Sequence, residues 1–159
     1  MELNAQERLK IGQVIEVQIG PIAHGGHFIA RYNGQVIFVR HGITDELVKI
    51  KITGVSAKIA HADVIEVINP STDRISPPCK YVGSCGGCDF QHISLERQRQ
   101  LKSEVITEQF VRIAKRDLQV TVEEVGAPLG YRTRFNAVTT RNGDLGFKQA
   151  RSNKVVPVS

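Results

Sequence analysis

A mainly β chain that opens with a small five-stranded barrel of the OB type is what the sequence predicts, on three observations. Short runs up to about Ile68 alternate apolar and polar residues with the period of a half-buried strand. Glycine, proline and an Asn-Gly pair break those runs at the intervals that turns require. Five such strands in roughly sixty residues bury their apolar faces best by curling into a closed barrel, which also removes exposed edges. The expected organisation is a barrel over 1–70, a linker and cysteine-bearing loop over 71–93, one long helix over 94–117 and the start of a further β domain over 118–159.

Within the barrel, Ile15, Val17 and Ile19 alternate with Glu16 and Gln18 across the strand 13–19, which Gly20-Pro21 ends. Segments 27–32 and 35–40 flank Asn33-Gly34, a two-residue hairpin signal because both turn positions need positive φ. A fourth strand turns Val48, Ile50 and Ile52 inward and Lys49, Lys51 and Thr53 outward. The fifth, near 57–68, shifts its pattern at Val64-Ile65, as a bulge or barrel corner demands.

Barrels of this type hold single-stranded nucleic acid with cations and stacking aromatics. The aromatics available are Phe28, Tyr32 and Phe38, at least one of which is needed in the core. The loop 21–27 brings His24 and His27 together with Gly25-Gly26, which lets backbone approach a phosphate. With Arg31 in the following strand, these histidines are the candidate contacts on the barrel, although solvated loop histidines satisfy the same pattern.

Turn formers fill 69–73, and Pro77-Pro78 leads into the stretch that carries Cys79, Cys85 and Cys88 at C-x5-C-x2-C spacing. These are the only three cysteines of the chain. An odd count and a polar start at Met1–Asn4 argue against a disulfide framework. Clustered beside Gly86-Gly87, the thiols read as metal ligands. Zinc is favoured by spacing alone, since His92 completes a Cys3His set, whereas an iron–sulfur cluster needs a fourth cysteine.

Ser94 is a suitable N-cap for a helix to about Arg116, with Arg97 standing where a capping box would need Glu or Gln. Leu95, Ile106, Phe110 and Ile113 share one face, with Leu101 and Val105 beside it, so the helix needs something to pack against. Arg97, Arg99, Lys102, Arg112, Lys115 and Arg116 make it basic. Farther on, Arg132, Arg134 and Asn136 alternate with Thr133, Phe135 and Ala137. On a strand this places two guanidinium groups on one face about 7 Å apart, suited to successive phosphates. Asn142-Gly143 marks another hairpin, and strands are expected over 146–150 and 154–158 around an Arg151-Ser152-Asn153 turn.

With 41% apolar and 23% charged residues the composition is that of a folded chain. No apolar run approaches the ~20 residues of a membrane span. The formal charge is +5, and up to Ile75 eight Lys and Arg balance eight Asp and Glu, so the whole surplus lies beyond. A basic second part suits a polyanionic partner. Neither a G-x-G-x-x-G loop nor a nucleophile elbow occurs, so no nucleotide or S-adenosylmethionine pocket and no catalytic residue is assigned.

Taken in order, IGQVIEVQIGPIAHGGHFIARYNGQVIFVRHGITDELVKIKIT, PPCKYVGSCGGCDFQHIS and LGYRTRF resemble the start of the bacterial RNA uracil-carbon-5 methyltransferases, the 5-methyluridine enzymes with an N-terminal TRAM domain. The resemblance implies that the barrel is a TRAM domain that helps hold ribosomal or transfer RNA, for which His24, His27, Arg31, Arg132 and Arg134 are the candidate contacts read from the residues themselves. It also implies a four-iron four-sulfur cluster on Cys79, Cys85 and Cys88, whose fourth cysteine follows a stretch similar to RSNKVVPVS and is expected just beyond this chain. The helix is then expected to pack on a methyltransferase domain.

In a complete member, S-adenosylmethionine donates a methyl group to carbon 5 of a uridine. A thiolate adds to carbon 6, and a general base later removes the proton. Those groups belong to a C-terminal domain absent here, so the chain alone is expected to be inactive. A cytoplasmic monomer is the expected form. The alternative from a different class is a stand-alone RNA-binding module with a Cys3His zinc site.

Overall fold

The computed structural model describes residues 8–158, so the polar start at Met1–Asn4 and the terminal Ser159 lie outside the described residues. The chain divides into two compact units between Arg74 and Ile75.

In the first unit, β1 (Val14–Gln18), β2 (Phe28–Tyr32), β3 (Gln35–Arg40), β4 (Leu47–Val55) and β5 (Ile59–Asn69) form one sheet in the order β1-β4-β5-β3-β2. Only the β3–β5 pairing is parallel. The sheet closes where the chain leaves β1. Gly20 N–H donates to Ile29 O at 2.7 Å, and Ile29 N–H donates to Pro21 O at 2.9 Å, which joins β2 back to the end of β1. The result is the OB-like five-stranded barrel expected from the alternation.

Its interior is the inward half of that alternation. Ile19, Phe28, Ile37, Val39, Val48, Ile50, Ile52 and Ala60 are all buried, and each large apolar side chain among them contributes roughly 1.5–3 kcal/mol. Asn33 (φ 47°) and Gly34 (φ 78°) make the β2–β3 turn with both central residues left-handed, the geometry that matches strand twist. The pattern shift at Val64-Ile65 is a bulge. Lys49 pairs with Glu66 and Ile50 with Val64, which leaves Ile65 without an opposite residue and solvent-exposed. Two more register shifts bend the long β4–β5 pair, which lets a few strands close tightly.

A polar anchor lies at one end of this core. Glu46 is fully buried, and its carboxylate accepts Ile43 N–H at 2.9 Å, Ser71 N–H at 3.1 Å and both Nε and Nη2 of Arg74 at 2.6 Å. Arg74 Nη2 also donates to His41 O at 2.8 Å. Segment 71–74, which has the composition of a linker, is thereby fixed to the barrel.

In the second unit, α1 (Leu95–Arg112) begins at Ser94, whose Oγ accepts Arg97 N–H at 3.3 Å. It ends before the expected Arg116. Lys115 turns left-handed (φ 54°) and Arg116 N–H donates back to Phe110 O at 3.1 Å, closing the helix in a turn. Leu101 is its buried residue, while Leu95, Ile106, Phe110, Val111 and Ile113 are exposed. Segment 118–124 runs beside the helix. Val120 N–H donates to Thr107 Oγ1 (3.1 Å), Val122 N–H to Ser103 Oγ (2.9 Å) and Arg99 Nη1 to Glu124 (2.8 Å).

A small antiparallel sheet follows, β6 (Val138–Thr139), β7 (Leu145–Lys148) and β8 (Val155–Pro157) in sequence order. The turns at Asn142-Gly143 and 151–153 fall where expected, with Gly143 at φ 87° and Arg151 at φ 54°. The strand expected around Arg132–Asn136 is not formed. Regular alternation is present there, but a strand also needs a neighbour to take its hydrogen bonds, and among the described residues none pairs with it.

Removing the buried carboxylate leaves Arg74 and two backbone N–H groups without their acceptor. Glu46→Ala is expected to lower the unfolding free energy of the chain by about 3–5 kcal/mol, read by urea titration. A loss under about 1 kcal/mol would show that the pair is replaceable by solvent.

Candidate nucleic-acid interface and cysteine loop

Strand register assembles the barrel's outer face. Inward Phe28 and Ala30 leave Ile29 and Arg31 facing out on β2. Ile29 lies opposite Phe38, which in turn lies opposite His61 on β5. One step along, Arg31 lies opposite Val36, and Val36 opposite Ile59. The Phe38 and His61 rings stack at 5.7 Å with an interplanar angle of 26°. His27 approaches both edge-on, each at 6.4 Å. All three rings are half-buried, so the cluster sits at the surface of the barrel and not in its core.

His27 is therefore part of a ring cluster, whereas His24 is exposed at the loop tip. The loop closes on itself through Ala23 N–H to His27 O (2.7 Å) and Gly26 N–H to Ala23 O (3.2 Å), with Gly25 and Gly26 at φ 91° and 81°. Phe28 is the aromatic that fills the core and Phe38 is the one that faces out. His61 was missed from sequence because nothing local to β5 reveals that it will lie beside Phe38. Only the parallel β3–β5 register does so.

The cysteine loop is a chain of tight turns. Cys85 N–H donates to Tyr81 O at 2.8 Å and Val82 N–H to Cys79 O at 3.3 Å, with Gly83 at φ 88°. Cys85 Sγ accepts Gly87 N–H at 3.3 Å and Cys88 Sγ accepts the Gln91 side-chain amide at 3.2 Å. Cys79 and Cys85 are half-buried and Cys88 is exposed.

Three thiols with N–H groups turned toward two of them suit a soft metal or an iron–sulfur cluster in donor chemistry. Among the described residues, no three His, Cys, Asp or Glu side chains converge as a metal site. His92, the nitrogen ligand considered for zinc, is buried while Cys88 lies at the surface. Gly86 fastens the loop to the small sheet, donating its N–H to Lys148 O at 2.9 Å. A Cβ there would stand 2.7 Å from Ala150 N and 2.8 Å from Lys148 O.

Arg132 and Arg134 lie on an exposed, irregular segment, with the Arg132 guanidinium 5.8 Å from the Tyr131 ring centre. They are accessible, but no strand holds them at a fixed spacing.

Comparison with known families agrees with the barrel: residues 8–65 match the TRAM domain. The likeness extends well past the barrel. Over 93% of its length the chain is 40% identical to a protein named only as an RNA methyltransferase from Streptomyces avermitilis. Over 91% it is 32% identical to the 23S rRNA (uracil(1939)-C(5))-methyltransferase RlmD of Shewanella baltica. The chain is thus a TRAM-domain homologue of RNA methyltransferases, and it spans 38% and 34% of the length of these two relatives. A solved structure of a conserved Methanococcus maripaludis protein aligns with 41% of this chain and 99% of its own at 30% identity, with a TM-score of 0.35.

Gly86→Ala is expected to push the cysteine loop off β7, since its new methyl group meets backbone atoms that cannot swing aside. Overpacking of this kind costs about 1–3 kcal/mol. Faster alkylation of Cys85 and loss of amide-exchange protection at Gly86, with the barrel amides unaltered, is the expected readout. Unchanged protection would show that the Lys148 contact does not hold the loop.

Proposed function

We propose that this chain is the RNA-recognition and cluster-binding part of an S-adenosylmethionine-dependent RNA uridine carbon-5 methyltransferase. The observation that carries this is that the likeness to RNA methyltransferases runs through both compact units, the cysteine loop included, and is not confined to the TRAM domain. The barrel's role is to hold RNA, and its half-buried rings with Arg31 alongside suit that task. Arg132 and Arg134 add phosphate contacts from the second unit.

Cys79, Cys85 and Cys88 would hold a four-iron four-sulfur cluster, with a fourth thiolate from outside this sequence. When bound, such a cluster supplies iron–thiolate cross-links that order the segments bearing its ligands. Gly87 N–H and the Gln91 amide, already donating to two of the sulfurs, would stabilise the thiolate form. Gly86 keeps the loop on β7. Methyl transfer itself belongs to the remainder of the protein, which would bind S-adenosylmethionine and supply nucleophile and base. Its substrate is a uridine in ribosomal or transfer RNA, and its setting is the cytoplasm.

Anaerobic purification of the full-length protein should yield iron and acid-labile sulfide near equal amounts, with broad visible absorption lost in Cys85→Ser. Stoichiometric zinc without sulfide would overturn the cluster and favour a Cys3His site with His92. Independently, Arg132→Ala with Arg134→Ala should weaken RNA binding across sequences and flatten its salt dependence by about 0.7 per lost phosphate contact. An unaltered slope would remove these two residues from the interface.

A further inference from the structure

Beyond the ring pair, the barrel's outer face leads to a cleft that its role in holding RNA does not by itself assign. A cleft of about 290 Å³ opens at the rim, lined by Arg8, Tyr32, the Asn33-Gly34 turn, Gln35 and Lys58. It begins one residue beyond Arg31 on β2 and one residue before Ile59 on β5. No carboxylate lines it among the described residues.

The charges along this path are asymmetric. Arg8, Arg31 and Lys58 lie at or next to the cleft, whereas the outward carboxylate of this face, Asp63, sits on the far side of the rings and pairs with Arg40 at 3.9 Å. Glu66, past the bulge, is bonded to Lys49 at 2.9 Å. The Phe38–His61 row and the Arg31–Val36–Ile59 row are two residues apart along the strands, about 7 Å, the scale of one step along an extended nucleic-acid backbone.

Resting on the RNA-binding role above, we infer that a single RNA strand crosses this face along a fixed path. One base stacks on the Phe38–His61 pair, the adjoining phosphate meets Arg31, and the next phosphate enters the rim cleft between Arg8 and Lys58, with the Tyr32 hydroxyl as a further donor. The rings supply sequence-tolerant stacking and the cleft supplies charge, the two terms on which single-strand binding rests. Two cations lining a cleft suit a phosphate, and among the described residues no carboxylate competes for them.

The test uses fluorescence anisotropy of the whole chain with a labelled uridine-containing single-stranded RNA, titrated over a range of salt. Phe38→Leu keeps apolar bulk and removes the stacking ring, and should weaken binding by about tenfold without altering the salt slope. Arg8→Ala with Lys58→Ala, both exposed and therefore neutral for folding, should weaken binding and reduce the slope by about 0.7 for the lost phosphate. Lys51→Ala on the outer face of β4 should change neither. If the unaltered chain binds RNA and the Arg8/Lys58 double variant binds equally well with the same slope, the path is wrong while the RNA role stands. If the unaltered chain binds no RNA, both fall.

Discussion

The buried Glu46 carboxylate is the constraint on which the first unit depends. A charge with no solvent contact is tolerable only when its lone pairs are filled, and here two backbone N–H groups and a two-pronged guanidinium fill them. The partners come from two separate parts of the chain: Ile43 from the β3–β4 connection, Ser71 and Arg74 from beyond β5. One side chain therefore fixes where β4 starts, where the chain goes after β5, and where the barrel unit ends.

The neighbouring backbone follows from it. Ile19 N–H donates to Glu46 O and Asp45 N–H to Ile19 O, so the residue that ends the β1 run is pinned to the same connection. Gly20 then donates to Ile29 and closes the barrel. Left-handed His41 and Asp45, at φ 65° and 69°, bracket this connection, a conformation non-glycine residues hold only where surrounding bonds over-determine it. Within the sheet the parallel β3–β5 pairing puts Phe38 beside His61. The candidate RNA face is thus a consequence of topology and not of any single motif.

The second unit is organised differently. Its regular structure is one helix and a three-stranded sheet, with Gly86 joining the cysteine loop to β7 by a hydrogen bond and a close approach that no side chain could share. Phe110 and Ile113 on the helix, and Leu129, Tyr131 and Phe135 beyond it, remain exposed.

Local chemistry let the sequence by itself determine the barrel. Period-two alternation named the inward residues, Asn33-Gly34 named its hairpin, and the broken pattern at Val64-Ile65 named its bulge, because each of these depends on residues within a few positions of one another. Ser94 likewise announced the start of the helix. Tertiary structure alone decided the rest. The Glu46–Arg74 pair spans 28 positions, the Phe38–His61 stack needs a parallel register, and the rim cleft needs the barrel to close. Conversely, alternation at Arg132–Asn136 promised a strand that did not form, since a strand is made by its neighbour as much as by its own residues. Pattern fixes which way a side chain faces; only closure of the chain on itself fixes what it faces.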